Sequence, residues 1–333
     1  MSELYPLLMS PLFDPRPWGT LDLSPIYPNY QASQKIGESW LTGDHCKVAN
    51  GPLAGHSLAE LSQKYGRDLV GEAAKDPNRF PLLLKFLFPN EKLSVQVHPD
   101  DECARQSGQP WGKTECWYVT TAKPGAQIAL GLKPGITCDD LERGIQEHRA
   151  EEMLNWIDVS RGDLIYVAGG TVHTLGPGSI IVETQQQSDT TYRLYDYGRP
   201  RELHLREGLA AVKENAGSGK VPRPKGSAEA VKGSHSEQLV AAPYFLVDRF
   251  ELTSPKAFNT ADESGMRSVQ ILVALDGRGV VEVPCMDPVT IAKGDGLVIP
   301  ATIWDFTVRP QWSLEFIVAR VPGKPLPEPT TIM

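Results

Sequence analysis

Cysteine is scarce in this sequence, and no two cysteines stand close enough to form a metal-binding pair. The 333 residues include only five cysteines, scattered singly between Cys46 and Cys285. An odd, scattered set without a CxxC pair is typical of free thiols in a reducing compartment. The sequence therefore predicts a cytoplasmic protein and excludes a metal site built from thiolates.

Long apolar runs are also missing, and so is an excess of positive charge. No segment approaches the ~20 apolar residues that span a membrane, and residues 1–19 lack a basic leader and are broken by prolines. The net charge of −8 disfavours nucleic acid and acidic membranes as partners. Because no glycine-rich phosphate loop occurs, a nucleotide cofactor is not expected. An anionic substrate would need a local pocket of positive charge.

The remaining composition is that of a globular protein with about two domains. A hydrophobic share of 41% and a charged share of 22% are ordinary values, and the chain is about twice as long as a typical domain. Residues 215–237 are polar and rich in Gly, Pro and Ser, which predicts a linker or exposed connection. From residue 238 onward, short alternating strands recur between turns, a pattern typical of a small β-barrel or jelly roll.

Capping and apolar patterns predict two helices and one buried strand in the N-terminal half. Ser57 and Glu60 form a capping-box pattern for the first helix. Thr137 begins a second helical segment, which the spacing of apolar residues extends to Ile157. The continuous apolar run of residues 81–88, PLLLKFLF, predicts a buried strand.

Side chains that could bind a metal ion are concentrated in the stretch LSVQVHPDDECARQSGQPWGKTECWYV. Its first part alternates as a strand does, so Gln96 and His98 share one face. In the strand-like TECWYV, Glu115 faces away from Cys116 and could be a third ligand. Further along the chain, a Gly-Asp turn, an apolar strand and a Gly-Gly corner lead to His173, which could be the fourth.

These four residues would give a metal ion a shell of oxygen and nitrogen. Such a shell suits Zn²⁺, and Co²⁺, Mn²⁺, Fe²⁺ and Ni²⁺ are alternatives on residue type alone. One carboxylate against the two charges of the ion leaves the site at about +1, which favours a Lewis-acid role. For either histidine taken singly, a hydrogen-bonded core residue is the alternative interpretation.

Several long motifs resemble those of a known enzyme family. They are LSVQVHPDD, GKTECWYV, GDLIYVAGGTVHTL and VETQQQSDTTYRLYDYGRPRELH, preceded by PLFDPRPWG and KIGESW. Together they resemble the short bacterial form of type I mannose-6-phosphate isomerase, a zinc enzyme of the cupin superfamily. The resemblance implies an aldose–ketose isomerase that interconverts mannose 6-phosphate and fructose 6-phosphate through a metal-stabilised enediol(ate). It also implies one Zn²⁺ per subunit, held by Gln96, His98, Glu115 and His173.

The fold implied by the resemblance is mainly β, with two cupin-like jelly-roll or β-barrel domains and a few peripheral helices. Residues 1–214 would form the catalytic, metal-binding domain with helical insertions, and residues 238–333 a degenerate cupin-like domain. An internal repeat supports the second domain, because RGDLIYVAGGTVH aligns with KGDGLVIPATIWD and Asp305 takes the place of His173. The expected assembly is a monomer or homodimer.

The catalytic candidates lie around the ligands in sequence. Arg193 can stabilise developing negative charge because it stays protonated. The proton shuttle needs a group of suitable pKa near C1 and C2 of the sugar, and both Glu183 and Lys113 qualify. The alternative roles are a phosphate-orienting cation for Lys113 and a buried structural carboxylate for Glu183. Ser94, Lys113 and Arg193 are the substrate-binding candidates, with Ser94 assigned from its position in the family motif.

Two other functions fit parts of the pattern. A cupin oxygenase with Fe²⁺ would need an apolar substrate pocket, which the polar, arginine-bearing run QQQSDTTYRLYDYGR disfavours. A sugar-phosphate-binding protein without catalysis would show a broken ligand set or lack Arg193, and the sequence shows neither. The nearby Arg199, Arg201 and His204 are further possible phosphate-binding residues, although surface or helix-entry positions are the favoured interpretation.

Overall fold

A computed structural model describes residues 3–222, 229–231 and 234–333 of the chain. In these ranges antiparallel strands dominate and form three sheets, with five short α-helices and one 3₁₀ helix around them. The mainly β fold predicted from the sequence is confirmed. Strands and helices carry numbers in chain order.

The first sheet has seven strands and contains the buried strand predicted at residues 81–88. In spatial order its strands are β14 (Gly219–Lys220), β10 (Leu164–Val167), β7 (Glu115–Ala122), β12 (Ser179–Gln186), β5 (Leu82–Leu87), β3 (Ile36–Trp40) and β2 (Leu12–Thr20). Every residue of β5 is buried. A strand covered on both faces has no solvent side, which explains its continuous apolar sequence.

The second sheet has five strands, and its side chains contact those of the first. In spatial order its strands are β13 (Tyr192–Tyr195), β6 (Val95–Val97), β11 (His173–Leu175), β8 (Gln127–Leu132) and β9 (Leu154–Asp158). The register sets Gln96 of β6 opposite His173 of β11 on one side and opposite Arg193 of β13 on the other. Three candidate residues therefore lie on adjacent strands.

The third sheet has ten strands and joins the two ends of the chain. Its main path is β15 (Glu229–Val231), β16 (Ser234–Ala241), β17 (Leu246–Leu252), β22 (Asp305–Arg320), β19 (Gln270–Glu282), β21 (Gly296–Ile299), β1 (Leu7–Ser10) and β4 (Lys47–Val48), with β18 (Lys256–Asn259) on β22 and β20 (Val289–Ala292) on β19. Leu7 of β1 pairs with Val298 of β21. The first strand of the chain thus belongs to the sheet of residues 238–333, across the boundary predicted between 1–214 and 238–333.

The segment 215–237, predicted to be a linker, is paired near both of its ends. Lys220 of β14 lies opposite Ile165 of β10, and β16 pairs with β17 from Ser234 onward. Residues 223–228 and 232–233 lie outside the described ranges. The described parts of the segment therefore include strands of two different sheets.

Two helices begin where the capping patterns predict. Helix α1 (Leu58–Tyr65) has the complete capping box of Ser57 and Glu60, and α4 (Cys138–Gln146) begins after Thr137, which accepts a hydrogen bond from the backbone N–H of Asp140. The remaining helices are α2 (Arg67–Val70), α3 (Asp101–Gln106), α5 (Leu205–Ala211) and the 3₁₀ helix Ala150–Met153.

The prediction that the second helix continues to Ile157 is wrong. Helix α4 ends at Gln146, and His148 then takes a left-handed backbone conformation with φ of 57°, which stops a right-handed helix. The chain continues into β9, where Ile157 pairs with Ile128 of β8. Pairing with a neighbouring strand therefore outweighs the helical spacing of the apolar residues.

The interior of the third sheet is apolar. Its buried side chains include Ile291, Leu297, Phe306 and Phe316. Asp305, the counterpart of His173 in the internal repeat, is exposed at the start of β22. None of the helices in the described ranges has the length and hydropathy needed to cross a lipid bilayer.

Candidate active site

Two histidines and one glutamate meet between the first and second sheets. His98 follows β6, Glu115 begins β7 and His173 begins β11. Glu115 Oε1 lies 3.6 Å from His98 Nε2 and 3.5 Å from His173 Nε2. All three side chains are buried, and one ligand atom from each lies within 4.8 Å of the others. This arrangement can hold a metal ion.

Backbone carbonyls orient the rings of both histidines. Nδ1 of His98 lies 2.9 Å from the carbonyl oxygen of Thr190, and Nδ1 of His173 lies 2.9 Å from that of Thr171. Because a carbonyl oxygen only accepts, each Nδ1 carries the hydrogen, which leaves the Nε2 lone pair for another partner. Burial lowers the pKa of His98 well below its ordinary value and that of His173 to about 4. Both rings are therefore neutral near pH 7.

Gln96 lies beside His173 on the neighbouring strand. Its Nε2 is 3.2 Å from His173 Nε2, and its Oε1 accepts a hydrogen bond of 3.1 Å from Ser94 Oγ. Rotation of the side-chain amide by half a turn exchanges the positions of its oxygen and its nitrogen. Such a turn would direct the amide oxygen of Gln96 to the histidine side.

This set of donors fits a divalent cation. It consists of two neutral imidazole nitrogens, one carboxylate and one amide oxygen, which are ligand types that zinc and similar metals accept. Glu115 Oε2 is buried and accepts no hydrogen bond within the described residues, although Lys113 Nζ lies 3.1 Å away. A buried carboxylate needs a positive partner, and a divalent cation held by these donors would be a second one beside Lys113.

Lys113 and Glu183 lie next to this cluster. Lys113 Nζ is 3.1 Å from His98 Nε2 and 3.7 Å from Glu183 Oε1. Burial raises the pKa of Glu183, and the neighbouring Glu115 carboxylate raises it further. Two side chains able to exchange a proton therefore adjoin the histidines.

Lys85, which the sequence motifs do not single out, connects the carboxylates of the site. It is 3% exposed, and its Nζ lies 3.2 Å from Glu38, 3.3 Å from Glu183 and 3.8 Å from Asp189. Burial alone would lower the pKa of Lys85, but the Glu183 and Glu38 carboxylates raise it. The signal in the sequence is a single charge inside the apolar run PLLLKFLF.

Among the carboxylates of this group, Glu38 is the one fixed by contacts with Lys85, Arg16 and Trp40. Besides Lys85 it contacts Arg16 Nε at 3.0 Å and accepts a hydrogen bond of 2.7 Å from Trp40 Nε1. Burial would raise the pKa of Glu38, but Lys85 and Arg16 together lower it to about 2. The side chain is therefore ionised at any pH at which the enzyme would work.

A cavity of about 230 Å³ opens beside these groups. Its lining has five cations and three carboxylates, namely Arg16, Lys85, Lys113, Arg193 and Arg201 against Glu38, Glu183 and Asp189. Ser94, Gln96 and His173 line it as well. The surplus of cations gives an acidic protein the local positive pocket that an anionic substrate needs.

Arg193 reaches this cavity from β13. One of its terminal nitrogens donates to the carbonyl oxygen of Glu202 at 2.7 Å, whereas its buried Nε finds no acceptor within the described residues. Burial lowers the pKa of Arg193, and Arg201 adds to the effect. A guanidinium nevertheless remains protonated, so its Nε stays a donor for which the described part of the chain offers no acceptor.

The structure places Arg199, Arg201 and His204 in three different surroundings. Arg201 lines the cavity and pairs with buried Asp196 at 2.6 Å. Arg199 pairs with the same carboxylate at 3.1 Å and donates to the carbonyl oxygen of Lys92. His204 stands at the N-cap of α5. The polar, arginine-bearing run that ends in GRPRELH is the signal in the sequence that this turn lies at the cavity.

The facing sheets and the buried cluster of two histidines and a glutamate define a cupin-like protein with a site able to hold a metal ion. Residues 20–134 match the model of the family described as phosphomannose isomerase type I, catalytic domain. The chain is 34% identical over 318 residues to the mannose-6-phosphate isomerase ManA of Bacillus subtilis, which covers 91% of this chain and 96% of that relative. It therefore belongs to the type I mannose-6-phosphate isomerase family and is an enzyme of that family.

Solved structures show the same fold. The crystal structure of the mannose 6-phosphate isomerase from Bacillus subtilis has a TM-score of 0.83 at 32% identity, and the match covers 94% of this chain and 99% of that one. A mannose 6-phosphate isomerase with zinc bound has a TM-score of 0.71 at 15% identity, with 94% of this chain and 98% of that one covered. The family that the sequence motifs resemble is thereby confirmed.

Proposed function

We propose that this enzyme interconverts mannose 6-phosphate and fructose 6-phosphate as a zinc-dependent aldose–ketose isomerase that works through an enediol(ate). The observation that carries the proposal is the position of the histidine–glutamate cluster beside a cavity with a surplus of cations. Such a cavity suits a phosphorylated sugar. The names of relatives in Bacillus subtilis and Streptococcus mutans support the same substrates.

Gln96, His98, Glu115 and His173 are the proposed ligands of one Zn²⁺ per subunit. A divalent cation at this site would act as a Lewis acid that stabilises the charge of the enediolate. The donor types and the zinc in an isomerase of similar fold support Zn²⁺ over other divalent metals. His98 and His173 are neutral and oriented beforehand, so neither ring has to lose a proton when the ion binds.

Lys113 and Glu183 are proposed to move the proton between C1 and C2 of the sugar. Lys113 is closer to the cluster, at 3.1 Å from both His98 Nε2 and Glu115 Oε2. Glu183 lies 3.3 Å from Lys85 and has a pKa raised by burial, which suits a group that exchanges protons near neutrality. The residue whose replacement stops exchange of the C2 proton with solvent, while the substrate still binds, is the base.

Ser94, Lys113 and Arg193 are proposed to bind the phosphate and to orient the sugar. All three line the cavity. The ammonium and guanidinium groups supply charge-assisted hydrogen bonds to phosphate oxygens, and the hydroxyl supplies a neutral one. Arg193 would also stabilise the negative charge that develops during proton transfer.

Residues 1–214 are proposed to carry the chemistry, and residues 238–333 to form a cupin-like unit without metal ligands. The match to the family's catalytic domain falls within the first range. The apolar interior of the third sheet supports a packing role for the second range.

The test is conversion of mannose 6-phosphate to fructose 6-phosphate by metal-stripped protein, before and after Zn²⁺ is added. Activity is expected only with the metal. Arg193→Ala should lower kcat/KM by about 10²–10³-fold, as loss of a group that stabilises transition-state charge does, while zinc binding is kept. Arg206→Ala is the matched control, because the replaced side chain is 92% exposed, and it should behave as the wild type.

Zinc binding without conversion of the sugar phosphate would show a real metal centre with a different substrate. Full activity of Arg193→Ala would remove that residue from the mechanism. An Fe²⁺ oxygenase is disfavoured because the cavity is lined by charged side chains, which disfavour an apolar substrate.

A further inference from the structure

The corner between β10 and β11, residues 168–171, leads directly into His173. We call it the His173 corner. Two of its four residues are glycines, and Gly170 has a φ of 95°. A Cβ atom on Gly169 would lie 2.7 Å from Cα of Asp100, so the corner packs closely against the N-cap of α3. Because glycine leaves the backbone more freedom than other residues do, the shape of this corner depends on contacts from neighbouring segments.

The hydroxyl group of Ser218 makes two such contacts. The backbone N–H of Ala168 donates to Ser218 Oγ at 2.9 Å. Thr171 Oγ1 lies 2.6 Å from the same atom. Ser218 and Thr171 are both buried, with 8% and 2% of their surface exposed. One hydroxyl group therefore holds the His173 corner at its first and at its last residue.

These contacts reach the histidine through a single further residue. The carbonyl oxygen of Thr171 accepts a hydrogen bond of 2.9 Å from Nδ1 of His173. A bond of this kind fixes the tautomer and the direction of the ring, and so decides where Nε2 points. A change in the corner would move this carbonyl group and release the ring.

Ser218 stands on a segment that has partners on both sides. It directly precedes β14, which pairs with β10 on one side. On the other side Lys220 and Ile332 exchange two backbone hydrogen bonds of 2.8 Å, and Thr331 Oγ1 donates to the carbonyl oxygen of Gly217 at 3.0 Å. The serine is thus presented to the corner from a firmly held strand.

We propose that Ser218 is a positioning residue of the metal site, which acts on His173 by fixing the corner. This inference rests on the proposed zinc site and adds a residue to it. Without the hydroxyl group, the N–H of Ala168 would lose its acceptor. Since a buried donor without an acceptor is costly, the corner would change its conformation, and the Thr171 carbonyl would no longer direct the ring toward the ion. Zinc would then bind less tightly.

The test is the zinc affinity of the full-length chain, measured by competition with a chelator. Ser218→Ala should raise the dissociation constant of zinc by about 10–100-fold, the range for replacement of a group that orients a ligand. Ser268→Ala is the matched control. Its hydroxyl is also buried and accepts a backbone N–H, that of Val321 at 3.0 Å, but it lies just before β19. It should bind zinc as the wild type does.

A kinetic measurement separates an effect on the metal from an effect on the substrate. The described residues that line the cavity beside the histidine–glutamate cluster do not include Ser218. At saturating zinc, the KM of Ser218→Ala for mannose 6-phosphate should therefore equal that of the wild type, while more zinc is needed for half-maximal activity. A raised KM at saturating zinc would contradict a role confined to the metal site.

A second variant tests the same corner from its other end. Thr171→Val keeps the size of the side chain and removes the other hydroxyl group of the 2.6 Å pair. It should also weaken zinc binding, and it provides the measurement if Ser218→Ala does not fold. Thermal melting of the metal-free proteins shows which variants are folded.

Weaker zinc binding in folded Ser218→Ala, with unchanged binding in Ser268→Ala, supports the proposal. Zinc binding as tight as in the wild type, in whichever of Ser218→Ala and Thr171→Val is folded, would overturn it. So would an equal loss in Ser218→Ala and Ser268→Ala, because the effect would then be a general loosening of the fold. In each of these cases the wild type binds zinc. A wild type that binds no zinc would overturn the proposed metal site together with this inference, so the two failures are distinguishable.

Discussion

Glu115 supplies the only negative charge among the four proposed ligands. Replacement by Gln keeps its size and removes that charge, so we expect the zinc affinity of Glu115→Gln to fall by about a hundredfold or more. Zinc content after dialysis, measured by inductively coupled plasma mass spectrometry, checks this. Glu152→Gln, at a glutamate whose side chain is 58% exposed, is the control. A full complement of zinc in Glu115→Gln would remove Glu115 from the ligand set.

Glu38 makes the stability of the fold depend on pH. Its pKa is lowered from 4.5 to about 2 in the folded chain because Lys85 and Arg16 offset the effect of burial. A lowered pKa means that the carboxylate stabilises the fold fully above about pH 4.5 and loses this contribution as the pH falls toward 2. The contribution of this carboxylate to the free energy of unfolding is on the order of 3 kcal/mol.

We therefore expect Glu38→Gln to be less stable than the wild type at neutral pH, with a difference that shrinks below pH 4.5. Urea unfolding at a series of pH values measures this difference directly. Glu142→Gln, at an exposed helical glutamate, should show no such trend. A difference that stays constant down to pH 2 would contradict the role given to the Lys85 and Arg16 contacts.

At this scale the sequence reveals the candidate ligands better than the residues that surround and support them. Gln96, His98 and Glu115 stand in alternating strands, so their common direction follows from the period of two. Lys85 belongs to an apolar run and lacks such a pattern. Its partners come from other strands, such as Glu38 on β3 and Glu183 on β12, and only the pairing of those strands brings them together.

At the scale of strands and helices, the contact between β2 and β3 leaves no room for a side chain at Gly19. A Cβ atom there would lie 2.3 Å from the carbonyl carbon of Ile36 and 2.4 Å from its oxygen. Because backbone atoms cannot move aside as a side chain does, Gly19→Ala should destabilise the fold by about 1–3 kcal/mol. Differential scanning fluorimetry should show a melting temperature lower by roughly 1–4 °C. Ser33→Ala, in the exposed loop between these strands, is the control and should melt as the wild type does. A melting temperature of Gly19→Ala equal to that of the wild type would show that the strands can separate freely.

Helix starts are predicted better than helix ends. The capping residues Ser57 and Thr137 act locally, within one turn, so the sequence alone locates the starts of α1 and α4. The end of α4 depends on the pairing of β9 with β8. That pairing is a tertiary interaction, and no helical period can reveal it.

At the scale of the whole molecule, one core connects the two ends of the chain. The same apolar cluster contains Leu7 and Met9 from β1, Val273 from β19 and Ile317 from β22. We expect a single unfolding transition for the metal-stripped protein, with equal calorimetric and van't Hoff enthalpies, because neither half can close its core alone.

Scanning calorimetry checks this expectation, and a fragment of residues 1–214 provides a second measurement. The fragment should give no cooperative melting. Two resolved transitions, or a fragment that melts cooperatively, would show that the predicted domain boundaries also separate two folding units.

The sequence indicates the two β-rich regions correctly, but β1 is four residues long and bears no mark of its distant partner.

The pairing of β1 with β21 also sets an order of events during synthesis on the ribosome. Leu7 leaves the ribosome long before its partner Val298, which follows far along the chain. At roughly 5–20 residues per second, the delay is about 15–60 s. For that time the apolar strand β1 lacks its pairing with β21, although β4 on its other side is already synthesised. The segment that carries β1 must therefore be kept from aggregating until β21 emerges.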